Sequence, residues 1–401
     1  MTIQEKFGFH KVLNTRGPAT ILGAARVQES IRRDISDILG ESAQINELQR
    51  RASEAIVRLT GAEAGCAVHC TSAGMAVAAA AALAGSDPAR IKALPDITWP
   101  KKKIIIQKGQ VTGAGDCPVW QVIKMCGAEY VEIGEALDCA SFHLKAALDD
   151  TVAAAFYVME DTFAPNLLPL ETFVSLCHEK QVPVIVDAAY LTDFRMLARL
   201  GVDMAIYSGH KWLGGCTSGI IAGRKDLIHA CYMQEMGIGR PMKVGKEGII
   251  SVITSIEHWL ARDEEAIRRT QTARAEEIRT ELEGIAGVAC SIQESLYSPS
   301  VRLHVDIDEK QAGIAAWVIN EELAHTDPVV MTDDYYVNQG KIIFDMAFLD
   351  EGDGTVIGKL VRDYLTGVRT PDPKLTRAVP RPRQDILYDW FDQWLDDAPR
   401  G

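Results

Sequence analysis

One lysine of this sequence, Lys211, stands in a setting that is unusual for a charged side chain. It follows an apolar run and lies in the stretch Ser208-Gly-His-Lys-Trp-Leu-Gly-Gly215. Most lysines are solvated surface charges, but glycines on both sides allow backbone or a ligand to come close. A partly desolvated amine is neutral often enough to attack a carbonyl carbon. Lys211 is therefore the first candidate catalytic residue. His210 beside it either tunes the reactivity of the amine or is a structural side chain that only packs.

A second candidate site is the run of small residues Cys70-Thr-Ser-Ala-Gly-Met75, directly before an alanine-rich helix predicted over Met75–Ala84. The first N–H groups of a helix have no partner inside the helix, and the helix dipole adds positive potential there. Ser72, Ala73 and Gly74 could therefore bind an anion such as phosphate. An ordinary helix cap explains the same residues, so this stretch alone leaves both interpretations open.

A third candidate is Asp187, which ends the apolar run Val182-Pro-Val-Ile-Val186 and opens Asp187-Ala-Ala-Tyr190. In parallel sheets ligands collect at the carboxyl ends of strands, so an acid that emerges there can face a bound group. A helix cap on the following turn is an equally good explanation of Asp187 alone. One more strand separates it from Lys211, which can bring both residues to the same edge of the sheet.

The three features together fit one cofactor, pyridoxal phosphate. That cofactor needs a helix start for its phosphate, an acid for its pyridinium nitrogen and a lysine for its aldehyde. Asp187 would keep the ring nitrogen protonated, so that the ring draws electrons from the substrate Cα. Ser208 can donate to the phosphate or to the lysine end of the site.

Composition narrows the class of protein. The 401 residues carry 42 Lys and Arg against 55 Asp and Glu, a net charge of −13 that repels nucleic acid and anionic membranes. The start lacks an apolar signal region, and no run reaches the roughly 18 apolar residues of a membrane span. Nine scattered cysteines without CxxC spacing indicate reduced core residues and no metal site. We expect a soluble, cytoplasmic enzyme with a small-molecule substrate and no nucleic-acid or membrane partner.

Strand and helix patterns alternate between about Cys66 and Gly223, which predicts an α/β fold with a mainly parallel, doubly wound sheet. Two helices are predicted at Met75–Ala84 and Leu170–Lys180. The predicted strands are Ile104–Gln107, Tyr130–Ile133, Ala153–Met159, Val182–Val186, Met204–Tyr207 and Gly219–Ala222.

The domain prediction has four parts. Residues 1–55 form an N-terminal arm and helix, and residues 56–260 form the large domain. A charged segment, Ser255–Glu283, is typical of one long connecting helix into a small α+β domain over 261–370, with strands at Val301–Ile307 and Lys341–Met346 around a helix near Ile314–Leu323. Residues 371–401 form a proline-broken tail whose aromatic helix, from Ile386 to Leu395, is expected to dock on the protein or on a second subunit.

Several motifs resemble one family. They are Thr15-Arg-Gly-Pro-Ala-Thr20, Leu59-Thr-Gly-Ala-Glu-Ala-Gly65, Asp187-Ala-Ala189, the Lys211 stretch, and Ile238-Gly-Arg-Pro-Met-Lys-Val-Gly-Lys-Glu247. The sequence is similar to the selenocysteine-synthase-like branch of the fold-type I pyridoxal-phosphate enzymes, and within it to members that resemble D-glucosaminate-6-phosphate ammonia-lyase. The resemblance implies a large cofactor domain, a small C-terminal domain, and homodimers or higher homo-oligomers with active sites at subunit interfaces.

By position, the resemblance assigns the Schiff-base lysine to Lys211, the pyridinium partner to Asp187, and the phosphate site to Ser72-Ala73-Gly74 with Ser208.

The resemblance also implies a substrate-binding set. Arg240, Lys243 and Lys246 match a basic loop after the lysine, and three cations in an acidic protein indicate a patch for a substrate carboxylate or phosphate. A solvated basic turn is the alternative. The patch could reach into a neighbouring subunit, and Arg16 in the arm is a weaker candidate for the same task.

The sequence departs from the family at one cofactor-binding position. Family members commonly have a histidine that stacks on the cofactor ring after the strand at Ile104–Gln107, where this chain has Lys108-Gly-Gln110. Gln110 can cover a ring face but cannot titrate near neutral pH as histidine does. His69 could compensate, or it is a structural histidine.

These features predict a pyridoxal-phosphate-dependent lyase acting on an amino acid or amino sugar acid. Lys211 removes the Cα proton, a β-hydroxyl leaves, and the products are a 2-keto acid and ammonia. The alternative is a racemase or epimerase, in which the proton returns on the other face. A cofactor-binding homologue without turnover is a third possibility, and the acidic charge suits a selenium transferase acting on tRNA poorly.

Overall fold

The computed structural model describes residues 1–110, 117–159, 166–294, 298–373 and 381–392. The strands in this part of the chain are β1 (Val12–Thr15), β2 (Ala64–Val68), β3 (Lys103–Gln107), β4 (Glu129–Ile133), β5 (Val152–Val158), β6 (Val184–Asp187), β7 (Met204–Ser208), β8 (Gly219–Gly223), β9 (Val288–Glu294), β10 (Val301–Ile307), β11 (Val329–Thr332) and β12 (Lys341–Asp345).

The α-helices in the same described ranges are α1 (Ile3–Phe7), α2 (Glu29–Leu39), α3 (Ile45–Thr60), α4 (Thr71–Ala84), α5 (Pro88–Ala93), α6 (Val119–Met125), α7 (Ser141–Ala147), α8 (Leu170–His178), α9 (Met196–Arg199), α10 (Lys225–Met233), α11 (Lys246–Ala261), α12 (Glu264–Leu282), α13 (Glu309–Ala312), α14 (Ala316–Leu323), α15 (Asp353–Leu365) and α16 (Arg383–Asp392).

The contacts between residues divide the protein into two compact units. The large unit is Arg26–Arg262, and the small unit comprises the described parts of Met1–Ala25 and Asp263–Gly401. The boundaries expected at residues 55, 260 and 370 stay predictions, although the contact-based division also falls between α11 and α12.

The large unit is built on a seven-stranded sheet in the order β2-β8-β7-β6-β5-β3-β4. Strands β7, β6, β5, β3 and β4 run parallel to one another, whereas β8 is antiparallel to both β7 and β2. The predicted α/β class with a mainly parallel sheet is therefore confirmed. The sheet also places the carboxyl ends of β6 and β7 side by side, with Asp187 opposite Ile206.

All six predicted strands of this sheet are present, each shifted by two residues or fewer at its ends. Strand β2 was missed because its sequence, Ala-Gly-Cys-Ala-Val, has small residues where strands usually have β-branched or aromatic ones. A glycine is needed there: a Cβ on Gly65 would lie 2.8 Å from Cβ of Ile56, which packs from α3. The small residues of β2 are thus explained by the close approach of a helix.

Helices cover both faces of the sheet and form two apolar layers. Helix α4 contributes an unbroken run of buried residues from Ala73 to Ala81 to one of them. Since it is buried all round, it shows no amphipathic stripe and consists mostly of alanine. This packing fixes the first turn of α4 relative to the sheet.

The prediction of one long helix over Ser255–Glu283 is wrong. Helix α11 ends at Ala261, Arg262 is extended, and α12 begins at Glu264. The Asp263 carboxylate accepts a hydrogen bond from the Ala266 N–H at 2.9 Å, which caps the new helix. Sequence already carried this signal, because Asp263 is followed by Glu264 and Glu265 in the first turn.

The small unit contains an antiparallel sheet in the order β12-β10-β9 and a parallel pair of β1 with β11. The predicted strands at 301–307 and 341–346 and the helix near 314–323 are present, so its α+β character is confirmed. Helices α12 and α15 pack on one face of the sheet around Leu303, Ile278 and Ile357, all fully buried.

The predicted aromatic helix of the tail is present as α16, where Tyr388, Trp390 and Phe391 are largely exposed. Its expected C-terminal part, including Trp394, lies outside the described residues. Among the helices that the structure describes, none is long and apolar enough to cross a membrane.

Candidate active site

The loop that carries Lys211 is a tight turn between β7 and β8. The Gly209 N–H donates to the Ser218 carbonyl at 2.9 Å, which continues the pairing of the two strands. The Lys211 N–H donates to the Ser208 hydroxyl oxygen at 3.2 Å, and the Gly214 N–H donates to the Lys211 carbonyl at 3.0 Å. Ser208 therefore shapes the turn, and its own O–H is left to donate elsewhere.

Gly215 lets this turn pack directly on α11. A Cβ there would lie 2.6 Å from the hydroxyl oxygens of Ser251 and Ser255 and 2.9 Å from the Gly209 carbonyl oxygen. The Ser251 hydroxyl also accepts the Cys216 N–H at 2.8 Å. Gly215, one of the glycines that made the sequence unusual, is thus required by close packing behind the lysine.

The Lys211 side chain is buried, with 9% of its surface exposed. Its Nζ lies 3.3 Å from the centre of the Tyr190 ring, which follows β6. Burial raises the pKa of the neighbouring Asp187 carboxyl, and the positive charge of Lys211 opposes that rise. The amine and the carboxyl that the sequence predicted therefore lie in one site at the carboxyl edge of β6 and β7.

His210 is buried beside the lysine, and its Nδ1 lies 3.3 Å from the Ser218 carbonyl oxygen. A carbonyl oxygen only accepts, so Nδ1 carries the hydrogen in this contact. Burial lowers the pKa of His210, and the charges of Lys211 and His69 lower it further. His210 is therefore a neutral side chain at pH 7.

The start of α4 lies against the beginning of β8. Cys70 caps the helix, because its Sγ accepts the Ala73 N–H at 3.4 Å. A Cβ on Gly219 would lie 2.7 Å from the Cys70 carbonyl, and one on Gly74 would lie 2.8 Å from Cγ2 of Ile206. Helix α4 begins at Thr71, earlier than predicted, so Ser72, Ala73 and Gly74 all belong to its first turn.

Gln110 is buried, and its amide pairs with the backbone at the end of β5. Its Nε2 donates to the Val158 carbonyl at 3.1 Å, and its Oε1 accepts the Val158 N–H at 3.3 Å. The residue has only 1% of its surface exposed. These contacts give Gln110 a structural task, and its expected role as a cover for the cofactor ring stays a prediction.

The basic loop lies away from the start of α4. The Gln234 side chain donates to the Gly85 carbonyl at 3.1 Å, and the Gly239 N–H donates to the Gln234 carbonyl, which holds the residues before Arg240 at the C-terminal end of α4. Helix α4 has 14 residues, which separate its ends by about 20 Å. Gln234 therefore lies at the opposite end of α4 from Ser72, and the substrate-binding role of Arg240 stays a prediction.

The three cations of this loop differ in their contacts. Arg240 and Lys243 are exposed, and both charges lower the pKa of the half-buried Glu235 against the rise that burial causes. Arg240 Nη1 lies 3.8 Å from Oε2 of Glu235. Lys246 instead donates to the carbonyls of Leu39 and Glu41 at the end of α2.

Arg16 belongs to the small unit. Its Nη1 donates to Oδ2 of Asp334 at 3.1 Å, and its side chain is largely buried. Its backbone N–H donates to the Asn14 side chain at 3.0 Å, in a turn that continues through Gly17 with a positive φ of 84°. The guanidinium therefore already has an acid partner within its own unit.

The buried cysteines are unreactive thiols. Burial raises the pKa of Cys66, Cys126 and Cys177 to about 12, far above the value at which a thiolate forms near neutral pH. They pack as small apolar side chains.

The residues of this site fit pyridoxal phosphate. The start of α4, with the Thr71 and Ser72 hydroxyls in its first turn, suits a phosphate, Asp187 suits a pyridinium nitrogen, and the Lys211 amine suits an aldehyde. Sequence reasoning missed Tyr190 as a member of the site, although it stands three residues after Asp187. It also missed Gly219, which lets β8 approach the start of α4. Its only signal in the sequence was a glycine at the start of a predicted strand.

Comparison with known proteins gives three relevant matches. Residues 19–339 match the family model described as SelA: L-seryl-tRNA selenium transferase. A Streptomyces 5'-C-glycyluridine monooxygenase-decarboxylase is 32% identical over 360 residues, which cover 89% of this chain and 90% of the relative. The D-glucosaminate-6-phosphate ammonia lyase of Salmonella typhimurium is 29% identical over 363 residues, covering 90% of this chain and 97% of the relative.

A solved structure of a D-glucosaminate-6-phosphate ammonia-lyase superimposes with a TM-score of 0.84 at 28% identity, covering 92% of this chain and 99% of that chain.

Proposed function

Because the chain belongs to the L-seryl-tRNA selenium transferase (SelA) family, we propose that it is a pyridoxal-phosphate-dependent lyase that removes ammonia from an amino acid or amino sugar acid. Its fold is that of the fold-type I enzymes, and its cofactor is pyridoxal 5'-phosphate, as the resemblance predicted. The single observation that carries the proposal is the buried Lys211 amine in one site with Asp187, beside the first turn of α4.

Each residue has a separate task in this proposal. The first turn of α4, with Ser72, Ala73 and Gly74, holds the phosphate of the cofactor. The Ser208 O–H donates into the same region, and Asp187 binds the protonated ring nitrogen. When bound, pyridoxal phosphate supplies an electron sink for the negative charge that develops on the substrate Cα.

Lys211 acts as the base in this reaction. With pyridoxal phosphate and substrate bound, the Nζ of Lys211 would accept the proton from the substrate Cα. A leaving group on Cβ then departs, and hydrolysis of the product gives a 2-keto acid and ammonia. His210 is neutral and hydrogen-bonded to Ser218, so its task is to support the Lys211 turn and not to carry charge.

Removal of the Cα proton has two other outcomes. Return of the proton on the opposite face would make the enzyme a racemase or epimerase. Reaction with dioxygen and loss of carbon dioxide would match the activity for which the Streptomyces relative is named. The high coverage and fold similarity of the ammonia-lyase relative favour elimination.

The substrate carries an anionic group that Arg240 and Lys243 bind, and the loop serves a neighbouring copy of the chain. Support comes from their exposure and from the position of the loop at the far end of α4 from Ser72. Lys246 holds α2 in this proposal, and Arg16 is a second candidate for the substrate anion. The protein acts in the cytoplasm as a homodimer or larger homo-oligomer.

One experiment separates these reactions. The enzyme loaded with pyridoxal phosphate is incubated in deuterium oxide with a panel of D- and L-amino acids and amino sugar acids, with and without phosphate groups. Equal amounts of ammonia and 2-keto acid from one member of the panel would support the proposal. Deuterated and inverted substrate without ammonia would identify a racemase, and uptake of dioxygen with release of carbon dioxide would identify an oxidative decarboxylase.

The matched controls for this experiment are two lysine variants. Lys211→Ala should release no product, whereas Lys180→Ala, which changes an exposed lysine, should behave as the wild type. Equal product release by Lys211→Ala would overturn the assignment of the base.

A further inference from the structure

The ring of Tyr190 lies directly under the amine of Lys211. The distance from Nζ to the ring centre is 3.3 Å, and so the nitrogen itself, not the aliphatic stem, rests on the ring. The other lysines that lie over rings in the described chain, Lys6 and Lys124, have distances of 5.1 Å or more. Among the described lysines that lie over rings, Lys211 therefore makes the closest contact, at a distance similar to the 3.0 Å from Arg262 Cζ to the Trp259 ring.

Both partners are held by backbone hydrogen bonds of their own turns. The Ala188 N–H donates to the Ile206 carbonyl at 2.9 Å, the Ala189 N–H donates to Oδ1 of Asp187 at 3.1 Å, and the Leu191 N–H donates to the Ala188 carbonyl at 3.0 Å. These bonds fix Tyr190 beside β6, as the turn after Ser208 fixes Lys211 beside β7. The contact thus follows from two rigid turns at neighbouring strand ends.

The face of an aromatic ring carries negative charge density and attracts an ammonium group. This attraction is strongest where water is excluded, and the Lys211 side chain has only 9% of its surface exposed. A buried lysine normally extends its amine to water, but here the amine stays on the ring. The ring face therefore replaces part of the water that Lys211 has lost.

We propose that Tyr190 is a positioning residue that docks the Lys211 amine on its ring face whenever that amine is not bonded to the cofactor. This inference rests on the proposed function, in which Lys211 bonds to pyridoxal phosphate and is freed again when the substrate binds. Docking keeps the freed amine at one place in the site, next to Asp187, so it approaches the substrate from a fixed side. The hydroxyl group of Tyr190 has no part in this task.

The test measures the reactivity of Lys211 in the full chain stripped of cofactor. The wild type, Tyr190→Phe and Tyr190→Leu are treated with dilute acetic anhydride at pH 8, and acetylation of each lysine is followed by mass spectrometry. The ring shields one side of the amine, so loss of the ring should speed acetylation of Lys211 by about tenfold. Tyr190→Phe keeps the ring and should react as the wild type.

Two internal controls make the result decisive. The exposed Lys180 should be acetylated at one rate in all three proteins. Each protein is then reloaded with pyridoxal phosphate, and a visible absorbance band shows that the site is folded. If Tyr190→Leu does not regain the band, Tyr190→Met takes its place as a second variant without a ring.

The inference and the proposed function fail in different ways. A wild type without a visible band would overturn the proposed function. A wild type with the band, but with equal acetylation of Lys211 in the wild type and Tyr190→Leu, would overturn only the inference. Rapid acetylation in Tyr190→Phe would also overturn it, because the hydroxyl group and not the ring would then hold the amine.

Discussion

At the scale of single residues, Asp187 stabilises the proposed complex while it destabilises the cofactor-free chain. Burial raises the pKa of its carboxyl above the ordinary 3.8, even though Lys211 stands nearby. An ionised Asp187 is therefore less favourable in the folded chain than in the unfolded chain. The protonated nitrogen of the cofactor would supply the missing counter-charge.

The raised pKa of Asp187 leads to a prediction for the variant Asp187→Asn. Because the folded-state pKa is raised, the wild-type chain loses stability as pH rises from about the ordinary value through the raised one. Without cofactor, Asp187→Asn should be more stable than the wild type at pH 7, and the difference should shrink as pH falls towards 4. Urea unfolding at several pH values measures this difference in stability, and a variant less stable than the wild type at pH 7 would contradict the prediction.

With cofactor, the turnover of Asp187→Asn should fall at least tenfold, since a charge-assisted bond is lost.

Gln110 gives a prediction that separates two roles. Its amide satisfies both the N–H and the carbonyl of Val158 in a buried position. Gln110→Ala leaves both groups without that partner, so the free energy of unfolding of the cofactor-free chain should fall by about 2 kcal/mol. The control is Gln44→Ala, which removes an exposed side chain that makes no capping bond. If Gln110→Ala unfolds like the wild type and only binds the cofactor more weakly, its main role is to cover the ring.

At the scale of elements, the site depends on how closely β8 passes under the first turn of α4. Gly219 permits this approach, because a Cβ there would lie 2.7 Å from the Cys70 carbonyl and 3.0 Å from the Thr71 nitrogen. The contacts are to backbone atoms, which cannot rotate away. The position of the first turn of α4, the proposed phosphate site, is therefore set by a glycine on a different element.

Gly219→Ala should push the start of α4 away from the sheet. We expect a loss of about 1–3 kcal/mol in stability from overpacking and an affinity for pyridoxal phosphate that is weaker by about tenfold. Absorbance titration with the cofactor measures the second effect. Gly40→Ala at the end of α2 is the matched control, because its φ is −73° and its Cβ would meet only Asp37 O at 3.5 Å. Equal affinity of both variants would contradict this account of Gly219.

The sequence predicted the elements that have a strong local signal. Apolar runs of Ile and Val identified β3 and β6, and the acid and the lysine that follow β6 and β7 could be placed at one sheet edge by the rules for parallel strands. Strand β2 and the break at Asp263 were missed, the first because its residues are small and the second because a charged stripe concealed a helix cap.

Contacts between distant side chains could not be predicted in the same way. The position of the Lys211 amine on Tyr190 depends on two turns and on side-chain rotamers, and neither has a periodic signal. The pairing of Gln110 with Val158 and of Lys246 with the end of α2 depends on where separate elements pack. Such contacts decide which polar residues remain available to a ligand.

At the scale of the whole molecule, the basic loop raises the question of how many chains form one site. Arg240 follows residues held at the end of α4 opposite to the phosphate-binding turn. The simplest arrangement that uses this loop places it over the active site of a second copy.

A mixing experiment tests that arrangement. Lys211→Ala lacks the base, and the double variant Arg240→Ala, Lys243→Ala lacks the loop cations. If the loop serves a neighbouring copy, random mixed dimers contain one intact site, so a denatured and refolded equal mixture should regain roughly a quarter of wild-type activity. Activity no higher than the average of the two parent proteins would show that each loop serves its own chain. A mixture of Lys211→Ala with Lys180→Ala, which should keep about half of wild-type activity with or without subunit exchange, provides the reference for the yield of refolding.

The most direct test of the central claim is to find which lysine bonds to the cofactor. The purified protein is loaded with pyridoxal phosphate, its visible spectrum is recorded, and borohydride then fixes the bound cofactor for peptide mass spectrometry. We predict a visible band in the wild type and in Lys180→Ala, a pyridoxyl group on the peptide that contains Lys211, and neither signal in Lys211→Ala. A wild-type protein that stays colourless with added cofactor, or a pyridoxyl group on another lysine, would contradict the assignment.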